Sequence, residues 1–245
     1  MSFALVLAFL FYIGSTFGWV LELFFRRFKP TNKEHKWVNP GFLQGPYLPL
    51  YGFGLDVLFM LSLAGMYLPS VSKPVEVLII FIVSSLLMTI LELIAGEIFI
   101  VGFKVQLWDY SMLWGNYKGL VCPLFTVFWG ALGTAYYYLV NPFIIDAIIW
   151  LSHNLVFSFV IGMFFGIFII DCVYTMQLAT KIRTLAHESG IIVRYEELKE
   201  RVRDREAKIR GRRRRFLMSF STDRKSFHEQ FMEYKNNHQN NNKKV

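Results

Sequence analysis

Cysteine is almost missing from this chain. The 245 residues hold two, Cys122 and Cys172, and no Cys-x-x-Cys spacing. That excludes a thiolate metal centre and a disulfide framework. Other chemistry is missing as well. No Gly-x-x-x-x-Gly-Lys-(Ser/Thr) occurs, so there is no P-loop, and any ATP hydrolysis needs a separate subunit. No serine or cysteine nucleophile stands with an evident histidine base, and His35 and His153 have no ligand spacing. No cofactor is expected. Charge is scarce over most of the length. Residues 1–173 carry 8 Lys/Arg and 9 Asp/Glu, a net of −1, whereas 174–245 carry 18 and 9, a net of +9, which together give the +8 of the whole.

What is abundant is apolar surface. Apolar residues make up 54%, aromatics 18%, and the mean hydropathy is +0.39. Five stretches reach the roughly 20 apolar residues that cross a bilayer, about 3–25, 47–68, 75–101, 120–140 and 148–171. The first lacks the basic start and small-x-small site of a cleavable signal peptide. Basic residues cluster in the first loop (Arg26, Arg27, Lys29, Lys33, Lys36), thin to Lys73 in the second, return as Lys104 and Lys118 in the third, and are absent around Asn141-Pro142. By the positive-inside rule this predicts an outside N-terminus and a cytoplasmic C-terminus in the cell membrane. Cys122 and Cys172 then fall near the reducing face and are expected to be inert thiols. The predicted fold is an all-α integral membrane domain over 1–173, with a basic helical tail over 174–245.

One motif is written twice. Leu21-Glu22-Leu23 precedes Asn39, Gly41, Pro46 and Tyr51-Gly52. Leu91-Glu92-Leu93 precedes Asn116, Gly119, Pro123 and Trp129-Gly130. Gly41 to Gly52 and Gly119 to Gly130 are both eleven residues, while the prolines slip by one. Two parallel helix–loop–helix repeats are expected, about 3–70 and 75–141, followed by the fifth span. Sites in such proteins lie where the repeats meet.

Charged groups in hydrocarbon are costly, about 2.5–3.5 kcal/mol on insertion scales, and so usually face protein or water. Gly14, Gly18 and Glu22 share one helical face, as do Ser85, Thr89, Glu92 and Gly96. Both glutamates are therefore expected to point inward, at equivalent depth, as a substrate- or ion-binding pair. Asp56 and Glu97 would extend the site. Asp109, in Trp108-Asp109-Tyr110-Ser111, would cap a short helix or face the acidic cluster. Asp171 is expected to reach the interface.

The segment from Asn39 through Gly41, Gly45 and Pro46 to Gly52 is too rich in glycine and proline for continuous helix, yet it is apolar. It reads as a membrane-dipping segment, and Asn116, Gly119, Pro123 and Gly130 form a milder version. The helices that start there would offer free N–H groups to an anionic group.

The tail shows a weak apolar seam at Leu198, Val202, Ile209 and Phe216. Arg212, Arg213, Arg214 and Arg215 read as an anionic-lipid contact. Disorder is expected from about 236, and no nucleic acid is expected as a partner.

The Gly18-Trp19-x-x-Glu22, Gly41-Phe42-Leu43-x-Gly45-Pro46, Trp108-Asp109-Tyr110-Ser111, Asn116-x-x-Gly119-x-Val121-Cys122 and Trp129-Gly130 motifs resemble one family, the CmpB-like ABC-transporter type IV permeases of bacterial membranes. The resemblance covers about residues 10–140 and implies a permease working with a separate ATPase subunit. Members carry arginines where this chain has Pro40 and Leu120, so a Glu–Arg arrangement is missing from both copies. The expected function is a permease-like membrane protein with an acidic, cytoplasm-facing site between two repeats. The alternatives are a membrane enzyme acting on a lipid or phosphate-bearing substrate, and a membrane scaffold.

Overall fold

The computed structural model describes residues 1–29, 32, 34–65, 71–189, 192–195 and 197–199. Helix α1 spans Phe3–Phe28. The Ser2 hydroxyl accepts the Leu5 N–H at 3.3 Å, and Arg26 and Arg27 complement the dipole in the last turn. Helix α2 is Pro49–Gly65, α3 Lys73–Phe103, α4 Pro123–Ala135, α5 Asn141–His153 and α6 Ser158–Ser189. A π-helical turn, Tyr136–Val140, joins α4 to α5, and a 3-10 turn, Leu155–Phe157, precedes α6. Proline opens both α2 and α4, where a missing N–H costs nothing.

Among the described residues four helical stretches are long and apolar enough to cross a membrane: Phe3–Phe28, Lys73–Phe103, Pro123–His153 and Leu155–Thr184. The five spans expected from sequence differ from this in two places. Helix α2 is apolar and has 17 described residues, against the roughly 20 of a full span. The helix expected to end at Val140 continues to His153. Pro142 lacks the N–H that an α-helix would use, and the π turn accommodates this. The Asn141 N–H bonds back to the Tyr136 carbonyl, five residues away. The chain breaks instead at Asn154, whose side chain donates to the Trp150 carbonyl at 2.8 Å.

The structure separates into two compact units, each assembled from three stretches. The first comprises Met1–Glu22, Tyr47–Ala95 and Tyr110–Ile170. Its larger core holds Val6, Leu10, Leu58, Phe59, Met88, Tyr136 and Ile144, and a smaller one holds Phe9, Leu151 and Ile161. Leu10 on α1 and Ile80 on α3 are completely buried. Phe11 of α1 lies against Gly52 of α2, and Phe81 of α3 lies against Gly130 of α4. Each bare glycine lets a phenyl ring approach its helix backbone, as small residues do in membrane packing. Phe11, Phe164, Phe165 and Phe168 add a knot of tilted and edge-on rings.

The second unit comprises Leu23–Pro46, Gly96–Asp109 and Asp171–Val245. Here an all-α expectation meets a short parallel pair, β1 (Val105–Gln106) and β2 (Val193–Arg194), with Val105 opposite Val193. Val105, Ile182, Ala186, Val193, Tyr195 and Leu198 form a core at 0–1% exposure. Phe42, Phe103, Leu107 and Leu178 pack on it. From the segment expected as a basic tail, Ile182, Ala186, Val193, Tyr195 and Leu198 contribute to this core. Each fully buried aliphatic side chain contributes about 1.5–3 kcal/mol. The weak seam from Val202 onward and Arg212, Arg213, Arg214 and Arg215 lie outside the described residues.

Candidate functional site

Glu22 stands in the last third of α1, half-buried. Four residues earlier, Gly18 has no side chain, and the Tyr51 ring occupies the space, with Cγ 2.3 Å from where a Cβ would sit. That close fit brings the Tyr51 hydroxyl to Glu22, to which it donates at 3.3 Å. Gly14 does the same one turn further back, against Leu55 and the Tyr51 carbonyl. The stripe Gly14–Gly18–Glu22 therefore faces α2, inside the first unit.

Glu92 on α3 is 3% exposed. Its stripe faces α4 residue by residue. Ser85 lies against Gly130, Thr89 donates to Thr126 at 3.0 Å, and the Trp129 indole N–H donates to Glu92 Oε2 at 3.0 Å. The Tyr110 hydroxyl donates to Oε1 at 3.0 Å. Both partners are neutral, so they orient the carboxylate without cancelling its charge. Burial first, then the Glu92 charge, holds the Tyr110 phenol above its ordinary value, so it remains a donor at neutral pH.

The two glutamates are linked. The Tyr51 and Trp129 rings meet edge-on with centroids 6.3 Å apart. Glu22, Tyr51, Trp129 and Glu92 form one continuous chain of contacts inside the first unit. Tyr51 and Trp129 are the aromatic members of the two aromatic-glycine pairs, so a positional signal existed. What the sequence could not show was that each ring bonds the glutamate of its own copy.

The other acids have different surroundings. Asp109 pairs with Arg194 at 3.0 Å and accepts from Gln106 at 3.4 Å. No helix starts between it and Pro123, so it caps no short helix there. A reversing turn follows instead, with Lys118 at φ +54° and Gly119 at φ +69°, closed by Tyr117 N–H to the Val121 carbonyl at 2.9 Å. Glu97 lies half-buried on α3 in the second unit. Asp56 lies on α2 in the first. Among the described residues no group of three His, Cys, Asp or Glu gathers as a metal site.

The glycine–proline segments are held by asparagines. Asn39 accepts the Gly41 N–H at 3.2 Å and donates to the Leu43 and Gln44 carbonyls. Asn116 accepts the Gly119 N–H at 3.1 Å and donates to the Ser111 and Leu113 carbonyls. In the first copy Pro49, not Pro46, opens the helix, as Pro123 does in the second. Pro46 remains outside, in a run of bends.

Two residues given no role in the site organise the second unit. Asp171, expected at the interface, holds a loop. Its carboxylate accepts the Gln44 and Gly45 N–H groups at 3.2 and 2.8 Å and the Thr175 hydroxyl at 3.2 Å. Lys199, 5% exposed, donates to the Asn39 carbonyl and to the Gly41 carbonyl at 3.2 Å. No periodicity in the sequence marks either residue.

Several apolar helices long enough to span, with a buried carboxylate among them, define a multi-pass helical membrane protein. Residues 9–176 match the family described as "Putative ABC-transporter type IV" (ABC_trans_CmpB), and the chain belongs to that family of transporter-like membrane proteins. Searches of curated proteins and of solved structures gave no match.

Proposed function

We propose that this protein is the membrane subunit of a transport complex, and that its Glu22–Tyr51–Trp129–Glu92 chain holds a cationic group of the substrate. The observation that carries this reading is the contact between Tyr51 and Trp129, each bonded to a glutamate. Two carboxylates supply the charge, and the aromatic faces add cation–π attraction of about 0.5–2 kcal/mol. Two parallel repeats would build the site. Matching packing supports them: Phe11 on Gly52 and Phe81 on Gly130, Leu10 and Ile80 at zero exposure, and Asn39 and Asn116 each holding a glycine. The offset is 70 residues for the first helix of each pair (81 − 11) and 78 for the second (130 − 52). Without a P-loop, a separate ATPase subunit would supply energy. The N-terminus would lie outside the cell membrane and the site would open to the cytoplasm. Arg212, Arg213, Arg214 and Arg215 would rest on anionic lipid.

The test is a ligand titration of the purified full chain in lipid nanodiscs, read by tryptophan fluorescence. Alkylammonium ions should change the signal of the wild type, and alkylsulfonates of equal length should not. The response should vanish in Glu22→Gln, Glu92→Gln and Trp129→Phe. Unchanged ammonium binding in both glutamine variants would refute the site.

A further inference from the structure

The carboxylate carried by α2 stands outside this chain of contacts. Asp56 is the one charged residue of α2, flanked by Leu55, Val57 and Leu58. Its Oδ1 is buried and receives no hydrogen bond among the described residues. Glu22, Glu92 and Asp171 all receive donors, so Asp56 requires an explanation of its own.

The groups around it do not supply a donor. Helix α2 packs on the π turn, and Tyr136 of that turn is the titratable group that interacts electrostatically with Asp56. The Tyr136 hydroxyl is engaged elsewhere, donating to Asn141 Oδ1 at 3.2 Å. The Ser62 and Thr134 hydroxyls donate to carbonyls of their own helices, Phe59 and Gly130, at 2.7 and 2.8 Å. Beside Asp56, Gly54 and Leu55 of α2 meet Met88 of α3 and Gly14 of α1, neither of which titrates. The titratable groups that reach α2 elsewhere are Glu22, bonded to Tyr51 five residues before Asp56, and Tyr137, against Gly65 nine residues after it. An ionised carboxylate with a donorless oxygen in such a setting is costly, whereas the neutral acid is tolerated. The residue as a whole is half-buried. Single π turns inside helices recur at functional sites because the extra residue re-aims nearby side chains.

We propose that Asp56 is a reversible proton-binding site, occupied in the conformation seen here, with Tyr136 as its switchable donor. The Asp56 O–H bond breaks, the proton passes to water, and the Tyr136 hydroxyl turns from Asn141 to the new carboxylate. Reprotonation reverses this, and no other bond changes. The site does not depend on the cation reading of Glu22 and Glu92, and its test uses no substrate.

The experiment is pH-difference infrared spectroscopy of the full chain in lipid. A carbonyl stretch of a protonated, weakly hydrogen-bonded carboxyl should be present at neutral pH and disappear on alkalinisation. Asp56→Asn should remove that band, while Glu22→Gln should keep it. Tyr136→Phe, which deprives the ionised form of its donor, should move the loss of the band to higher pH. If Asp56→Asn does not fold, Asp56→Glu should shift the band without abolishing it. A wild-type spectrum without the band, or one that Asp56→Asn and Asp56→Glu leave unchanged, would overturn the proposal. So would stoichiometric sodium or potassium retained on dialysis by the wild type and lost in Asp56→Asn, since that would make this a metal-cation site.

Discussion

Glu92→Gln should cost more stability than Glu22→Gln, although both should abolish cation binding. Glu92 is 3% exposed, and each of its oxygens takes one bond at 3.0 Å, from Tyr110 and from Trp129. A glutamine amide keeps one acceptor oxygen and turns its NH2 toward the other donor. One bond to a charged group is lost, worth about 1.5–3 kcal/mol, and a buried N–H or O–H is left facing another donor, adding about 1–3 kcal/mol. The expected destabilisation is thus about 2.5–6 kcal/mol before relaxation. The lower half of that range is expected, because the Tyr110 loop lies outside the helices. Glu22 is less buried, and its bond to Tyr51 is longer at 3.3 Å. Loss of the Tyr51 bond should cost about 0.5–1.5 kcal/mol, the ordinary worth of a hydrogen bond.

The assay is denaturant unfolding of both variants in the same detergent, followed by helical circular dichroism. Tyr110→Phe supplies a control, and it should lose part of what Glu92→Gln loses. Because the Tyr110 phenol is held above its ordinary value, its contribution is fully present below about pH 10 and falls away only as pH rises beyond that. If Glu22→Gln proves as costly as Glu92→Gln, or if Glu92→Gln costs nothing, the hydrogen-bond account of Glu92 is wrong.

Other outcomes follow from the packing. Gly133→Ala puts a methyl 2.3 Å from Ser84 Cβ, and Gly14→Ala puts one 2.8 Å from the Tyr51 carbonyl, so each should cost about 1–3 kcal/mol in thermal or denaturant unfolding. Gly162→Ala, with nothing within 4 Å, should be neutral or slightly stabilising in the same assay. Asp171→Ala removes the acceptor of the Gln44 and Gly45 N–H groups, and should make the 39–46 segment the first site of limited proteolysis, at a cost of about 1–3 kcal/mol. In a chain lacking Cys122 and Cys172, cysteine at Ser72 should react with an impermeant maleimide from outside intact cells. Cysteine at Lys118 should react only after lysis, and the reverse pattern would invert the proposed topology.

Much of the helical layout was legible in the sequence, because long apolar runs have few alternatives once backbone groups must bond internally. The inward faces were legible too. Gly14–Gly18–Glu22 and Ser85–Thr89–Glu92 follow from helical spacing alone, and the structure turns both stripes toward a neighbouring helix. The fourth helix runs past Asn141-Pro142, although that pair has a strong local tendency to break a helix. A π turn, formed with α2 packed on it, overrode that tendency.

The sequence by itself determined where the carboxylates sit on their helices and that the same pattern occurs twice. Only the tertiary structure decided what each carboxylate meets. The donors to Glu22 and Glu92 come from 29, 18 and 37 residues away, and Asp171 takes its N–H groups from 126 and 127 residues away. The Lys199 amine reaches carbonyls 158 and 160 residues away. Helical periodicity fixes direction within one element, and hydrogen-bond partners at such separations are set by which elements pack together. That is why Glu92 is doubly bonded while Asp56, equally apolar in its sequence surroundings, keeps an oxygen without a donor.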